Sequence, residues 1–348
     1  MPTIRFPRPL RTGDRIGVTA PSSGITPPDE ARFQLALEHM RQQGYAPVEG
    51  ACVRGNLKHV SAPAAERAAD FLRFWRDESV AAIMPPWGGE LLVEILPLLD
   101  FEELGRGSPK WVVGYSDIST LLLPITLKSG IATLHGATLL DLKATQTDPL
   151  TNGVLEILRL APGATHSQQS SERWQKDWPD MRAHPEMPFH FTEPTRWKGL
   201  RPRDEAGATM KGRLIGGCID TVARLAGTPY GGVPEFTRAH RDAGVILYFE
   251  NCELRPCELA RTLWNLRLAG WFEGLSGILI GRSTGADASH AEDLLYTDAL
   301  ASVLAPLPMP IVIDADIGHA PPQLALVNGA VAELDFAGGR GRLTQRLI

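Results

Sequence analysis

The sequence predicts an α/β protein, with an amino-terminal open parallel sheet flanked by helices and a smaller, sheet-rich carboxy-terminal domain. Three observations carry this expectation. Short apolar, β-branched runs alternate with helical periods through residues 1–162. A polar stretch broken by prolines follows at residues 163–205, and strand patterns dominate residues 206–348. At 348 residues the chain is also longer than one hydrophobic core usually serves. The three segments are therefore read as an α/β domain, an inter-domain linker able to act as a substrate loop, and a second domain.

The elements follow in order. R-I-G-V-T-A-P is a short buried strand ending in the turn residues P-S-S-G. The next helix, D-E-A-R-F-Q-L-A-L-E-H-M-R-Q-Q-G, turns Phe33, Leu35, Ala36, Leu37 and Met40 to one side, with Gly44 placed as a left-handed terminator. A strand near A-P-V-E-G-A-C-V precedes the helix A-P-A-A-E-R-A-A-D-F-L-R-F-W-R, where Pro63 suits the first turn. A-A-I-M-P-P, L-L-V-E-I-L-P-L-L, W-V-V-G-Y, S-T-L-L-L-P-I and I-A-T-L-H continue the alternation, a βαβ series that implies a parallel sheet. In the second half M-K-G-R-L-I-G-G, V-I-L-Y-F-E, S-G-I-L-I-G-R, P-I-V-I-D-A-D and A-L-V-N-G-A-V-A-E-L-D-F read as strands. One clear helix, C-E-L-A-R-T-L-W-N-L-R-L-A-G, lies among them.

Composition narrows the functions available. A formal net charge of -5 with unclustered Lys and Arg gives no footprint for a nucleic acid polymer or an anionic membrane. No apolar run reaches bilayer length and the first residues lack a secretory pattern, so a cytoplasmic location is expected. Four cysteines are too sparse for a disulfide framework, and C-x-x-x-x-C at Cys252 and Cys257 lacks the second ligand pair of a metal site. Neither metal nor organic cofactor is expected.

The chemistry concentrates at K-W-V-V-G-Y-S-D-I-S-T. A parallel sheet binds ligands outside the carboxyl ends of its strands, and this run puts Ser116 at such an end, before a helix whose free N–H groups can face a developing oxyanion. The second glycine of G-x-S-x-G is missing, and helix capping by Ser116 or Asp117 is the plainer reading of the corner alone. A second corner, P-P-W-G-G-E, lets the backbone of Gly88 and Gly89 approach a ligand closely, or merely turns a strand into a helix.

Taken with G-Y-S-D-I-S-T, I-L-Y-F-E-N-C at 246–252 and D-A-D-I-G-H-A at 314–320 resemble the nucleophile, glutamate and histidine segments of the LD-carboxypeptidase family of serine peptidases, which includes the MccF microcin C immunity proteins. G-G-E-L-L-V-E-I-L-P-L-L-D-F and M-K-G-R-L-I-G-G-C-I-D-T-V are similar in order and spacing. The resemblance implies Ser116 as nucleophile, His319 as general base and then acid, Glu250 as the carboxylate behind it, and the amides of Gly89 and Asp117 as oxyanion hole. It also implies a swivelling-barrel type of second domain and a homodimer. Where family members often carry R-G-G-Y-G, this chain has Trp87 and Glu90 beside Gly88 and Gly89, so substrate contacts there differ; asparagine is common where Cys218 stands.

Within the family, one branch removes terminal D-Ala from muropeptide tetrapeptides during wall recycling. The MccF branch instead cleaves a peptidyl- or aminoacyl-nucleotide. The G-G-x-L-L-V-E-I-L-P-L-L-D-F pattern and the tryptophans of the insert, Trp174, Trp178 and Trp197, lean toward the second, since an indole can stack on a nucleobase. Those rings could equally pack the insert onto the protein. Trp87 is another candidate pocket wall, whereas Trp264 and Trp271 are expected in the core. A non-catalytic nucleotide or peptide binder is the rival class, disfavoured because a binder has no use for a base aligned with a hydroxyl.

Overall fold

The computed structural model describes residues 2–290 and 292–348. Five strands, β1 (Arg15–Val18), β2 (Ala46–Glu49), β3 (Val80–Ile83), β4 (Trp111–Gly114) and β5 (Thr133–His135), form a parallel sheet. The helices Glu30–Gln42 and Ala64–Arg76 supply its crossovers. Gly44 ends the first at φ 88, and Pro63 caps the second from just outside its first turn. L-V-E-I-L-P-L forms a 3-10 helix whose Leu92, Ile95 and Leu96 are buried. The strand order 5-4-3-1-2 reverses direction between β3 and β1. Such a reversal opens a crevice at the carboxyl ends, where P-S-S-G after β1 and P-P-W-G-G-E after β3 meet.

Eight further strands make the second sheet. The segment expected to be linker and loop contributes β6 (Thr165–Gln169) and β9 (Lys198–Gly199) to its edges, while β7 (Arg173–Trp174) and β8 (Glu193–Pro194) pair only with each other. Polar strands suit an edge because one face stays in water. The centre is parallel: β10 (Ala208–Cys218), β11 (Val245–Glu250), β12 (Gly277–Gly281) and β13 (Ile311–Ala315). All six residues of β11 are buried, as expected for a strand covered on both faces.

A-L-V-N-G-A-V-A-E-L-D-F is not one strand. The chain turns at Gly329, φ 93, sending β14 (Leu326–Asn328) antiparallel onto β5 and β15 (Val331–Ala337) onto β10. A final strand, β16 (Arg340–Arg346), bridges β15 and β6. The sequence reading also passed over the helices Pro149–Leu158 and Tyr296–Leu304, both with mostly buried apolar faces.

Asn328 stitches the two sheets. Its Oδ1 accepts from the Gly216 amide at 3.1 Å and the Tyr248 hydroxyl at 2.8 Å, and its Nδ2 donates to Thr133 Oγ1 at 3.2 Å. One apolar cluster runs through both halves, joining Ile16, Trp111 and Leu121 to Ile215, Phe249 and Trp271. Trp197 sits fully buried on the other face of the second sheet, so it packs rather than lines a surface. Trp271 is in the core as expected. Trp264 is not: it is 45% exposed beside Arg267, because it lies on the solvent side of its helix.

Candidate active site

Ser116 follows β4 with φ 59, one of four residues other than glycine with positive φ among the described residues. A left-handed backbone costs an L-residue roughly 1–2 kcal/mol, and such strain gathers where a side chain must be aimed. Here it projects the serine from a tight corner between strand and helix. Gly114, at φ 154, admits Ile118 where a Cβ would come within 2.9 Å of that side chain.

The carboxylate of Asp117 is spent on holding the corner. It is buried and accepts from Ser22 Oγ at 2.6 Å, the Leu92 amide at 2.8 Å and Thr120 Oγ1 at 3.0 Å. That leaves only its backbone for chemistry. Gly88 lies against Ser116: an added Cβ would stand 2.8 Å from Ser116 Cβ and 3.0 Å from the Asp117 nitrogen. At Gly89, with φ 148, an added Cβ would meet the hydroxyls of Ser22 and Ser23, each at 2.4 Å. The P-P-W-G-G-E loop thus closes on the serine through glycine backbone, with the hydroxyls of Ser22 and Ser23 from the neighbouring loop packed against Gly89.

The second sheet brings its own carboxyl ends to the same place. Glu250 ends β11 with no exposure, and its Oε2 lies 2.9 Å from Nδ1 of His319, four residues past β13. Gly318 makes that approach possible, since a Cβ there would come within 2.3 Å of Oε2. Burial is the largest influence and lowers the imidazole pKa, but the charge and hydrogen bond of Glu250 together with Cys252 outweigh it and hold His319 well above its ordinary value. Glu250 is in turn held below the ordinary range by His319 despite its burial.

Ser116 and His319 line one cavity of about 320 Å³, walled by Trp87, Gly88, Gly89 and Tyr115. The remaining lining residues, Ser23, Asn56 and Thr138, were missed from the sequence. Ser23 was findable: it stands in P-S-S-G at a strand's carboxyl end beside the sheet reversal. Asn56 and Thr138 carry no comparable signal. The Tyr115 ring meets the His319 ring edge-on, with centroids 4.9 Å apart, and the Trp87 indole is fixed by Nε1–H donating to the Ser23 carbonyl at 3.1 Å. Glu90 is exposed and lies outside this lining. Neither Trp174 nor Trp178 lines it: Trp174 faces another cavity, and Trp178 is 44% exposed with its edge on Phe189.

Near Glu250 and His319 lie two further groups. His135 is fully buried, 3.5 Å from Ser119 Oγ and ringed by Tyr115 and Tyr248, and burial pushes its pKa down to about 4. Cys218 comes within 4.8 Å of Glu250 and His319 in a set that could in principle take a metal ion. Burial first, then Glu250, pushes its thiol well up, so it stays protonated, and Glu250 is already committed to His319. That donor set suits a cation poorly.

A strained serine and an imidazole backed by a buried carboxylate line one cavity beside a cradle of glycine backbone, the residue set of a serine hydrolase. The chain belongs to the LD-carboxypeptidase family: residues 16–136 match its N-terminal domain and residues 211–334 its C-terminal domain. Among curated relatives, the microcin C7 self-immunity protein MccF of Escherichia coli is 25% identical over 98% of this chain and 96% of its own. The murein tetrapeptide carboxypeptidase of Pseudomonas aeruginosa is 25% identical over 84% of this chain and 85% of its own. The crystal structure of an MccF-like protein from Bacillus anthracis, 25% identical, superposes with a TM-score of 0.81 over 98% of this chain and 99% of that one. No helix of the described residues is long and apolar enough to cross a membrane.

Proposed function

We propose that the enzyme cleaves the amide-type bond of a small peptidyl- or aminoacyl-nucleotide through an acyl-enzyme on Ser116. The carrying observation is the shared cavity of Ser116 and His319, with Glu250 2.9 Å behind the imidazole. His319 Nε2 takes the hydroxyl proton as Ser116 Oγ attacks the carbonyl carbon. The amides of Gly89 and Asp117 receive the oxyanion, each such donor being worth about 3–4 kcal/mol in the transition state. His319 then gives its proton to the leaving nitrogen, and water, activated the same way, releases the acyl group and restores the serine.

One feature favours a nucleotide as leaving group. Trp87 presents a fixed indole in the cavity wall, and base–aromatic stacking is worth about 1–3 kcal/mol. Neither Trp174 nor Trp178 lines this cavity, so the stacking role expected of the insert tryptophans rests on Trp87. The P. aeruginosa relative, named for a murein tetrapeptide, favours a second reading in which terminal D-Ala is released from a muropeptide. Mass spectra of products from an aminoacyl sulfamoyl adenylate and from a muropeptide tetrapeptide, with wild type and Ser116→Ala, decide between them. Release of the nucleoside analogue alone supports the first reading, and release of D-Ala alone refutes it.

A further inference from the structure

Arg67, on the helix Ala64–Arg76, is fully buried and takes its positive charge into the amino-terminal domain. Its Nε donates to the Ala62 carbonyl at 2.8 Å, and its Nη1 to the carbonyls of Pro21 at 2.7 Å and Leu91 at 3.1 Å. Nη2 pairs with Glu94, whose side chain is half exposed. Removing a guanidinium from water is costly unless its donors find partners. Here the partners come from the loop after β1, the start of the helix itself and the segment after β3, which one side chain ties together.

Two of those segments lead directly to the proposed oxyanion amides. The peptide group between Leu91 and Leu92 accepts from Arg67 at its carbonyl and donates through its N–H to Asp117 Oδ2 at 2.8 Å. One residue beyond the Pro21 carbonyl, Ser22 Oγ donates to the same Oδ2 at 2.6 Å. The amide of Ser23 then donates to the Gly88 carbonyl at 3.2 Å, and that carbonyl belongs to the same peptide group as the Gly89 N–H. Arg67 therefore anchors the routes that orient both amides, and hydrogen bonds linked in this way strengthen one another in a dry interior.

We infer that Arg67 is the positioning residue of the oxyanion hole, acting through the Pro21–Ser23 and Gly88–Leu92 loops without touching substrate, an assignment that rests on the hydrolase reading of Ser116. The arrangement asks for arginine. Three carbonyls and a carboxylate lie around it, and a planar fork of five donors can meet them together, whereas a lysine ammonium is a single point with three donors. The Glu250–His319 pair belongs to the other sheet and shares no hydrogen bond with these groups, so loosening the clamp leaves the proton-transfer pair as it was.

The test measures kcat, KM and the pH midpoint of kcat/KM for full-length Arg67→Lys, Ser22→Ala and Ser116→Ala on an aminoacyl sulfamoyl adenylate and a muropeptide tetrapeptide, with activity referred to the folded fraction seen by circular dichroism. Ser22→Ala cuts one link to Asp117 while the buried guanidinium keeps its partners, so it carries the test if Arg67→Lys does not fold. Expected is a fall in kcat of about 100-fold for Arg67→Lys and about tenfold for Ser22→Ala, with KM within about threefold of wild type and the pH midpoint unmoved. A purely structural staple would instead lower the melting temperature and leave the folded enzyme's kcat intact, which overturns the assignment, as does a loss confined to KM or a shifted midpoint. Turnover of neither substrate by wild type, or undiminished turnover by Ser116→Ala, overturns the hydrolase reading and this inference with it. Wild-type kcat in either folded clamp variant, beside an inactive Ser116→Ala, overturns this inference alone.

Discussion

Glu250→Gln keeps the shape of the proposed Ser116–His319–Glu250 triad and removes its charge. The carboxamide fills the same volume and its oxygen can still accept from Nδ1 of His319, so what disappears is the attraction across 2.9 Å. Glu250 has no exposure and the His319 side chain 18%, so solvent screens the pair only partly. With charge centres ~4 Å apart and an effective dielectric constant of ~20, that attraction is about 4 kcal/mol. At 1.36 kcal/mol per pKa unit, this is about 3 units of support for the imidazolium. His319 accepts a proton only when neutral, and Glu250 holds it protonated above its ordinary value of 6.5. Wild-type kcat/KM should therefore climb with pH around a midpoint above 6.5. In Glu250→Gln the midpoint should fall by as much as about 3 units, and the plateau should drop about 10⁴-fold, the scale of a carboxylate-to-carboxamide change in another serine triad. The assay is a pH–rate profile on whichever substrate is turned over, from about pH 5 to about pH 10. An unmoved midpoint with a plateau within about tenfold of wild type would refute the reasoning.

Three further outcomes follow from the same geometry. Gly88→Ala places a Cβ 2.8 Å from that of Ser116, so the nucleophile must shift; activity should fall about 100-fold or more while the circular dichroism spectrum stays native. Ser116→Gly removes the hydroxyl together with the penalty of φ 59, so denaturant unfolding should report a gain of about 1 kcal/mol alongside lost turnover. His135, depressed from 6.5 to about 4 by burial, binds its proton more readily when unfolded. Its contribution is complete above pH 6.5 and is lost as pH falls toward 4, about 3 kcal/mol in all; His135→Phe should flatten the dependence of unfolding free energy on pH across that window.

The parallel sheet was legible because β1, β3 and β4 are short apolar runs between turn residues, a pattern set by burial on both faces. The glycine corners were legible for the same local reason. Positions fixed by distant partners were not. β14 and β15 read as one strand because their residues have the same character, and only the pairing of Leu326–Asn328 with β5 separates them. The edge strands of the insert are too polar to announce themselves, and Asn56 and Thr138 enter the cavity through loops whose path depends on the rest of the fold. The roles proposed for Ser116, Glu250 and His319 rest on their joint resemblance to a family, not on any one segment. What the structure adds is the 2.9 Å contact and the strained corner.

The most direct test of the account compares kcat for Ser116→Ala, His319→Ala and the double variant on the preferred substrate. If hydroxyl and imidazole work as one proton-transfer unit, each single change should cost nearly as much as both together, on the order of 10⁶-fold. Penalties that multiply in the double variant, or a His319→Ala enzyme within about tenfold of wild type, would contradict it.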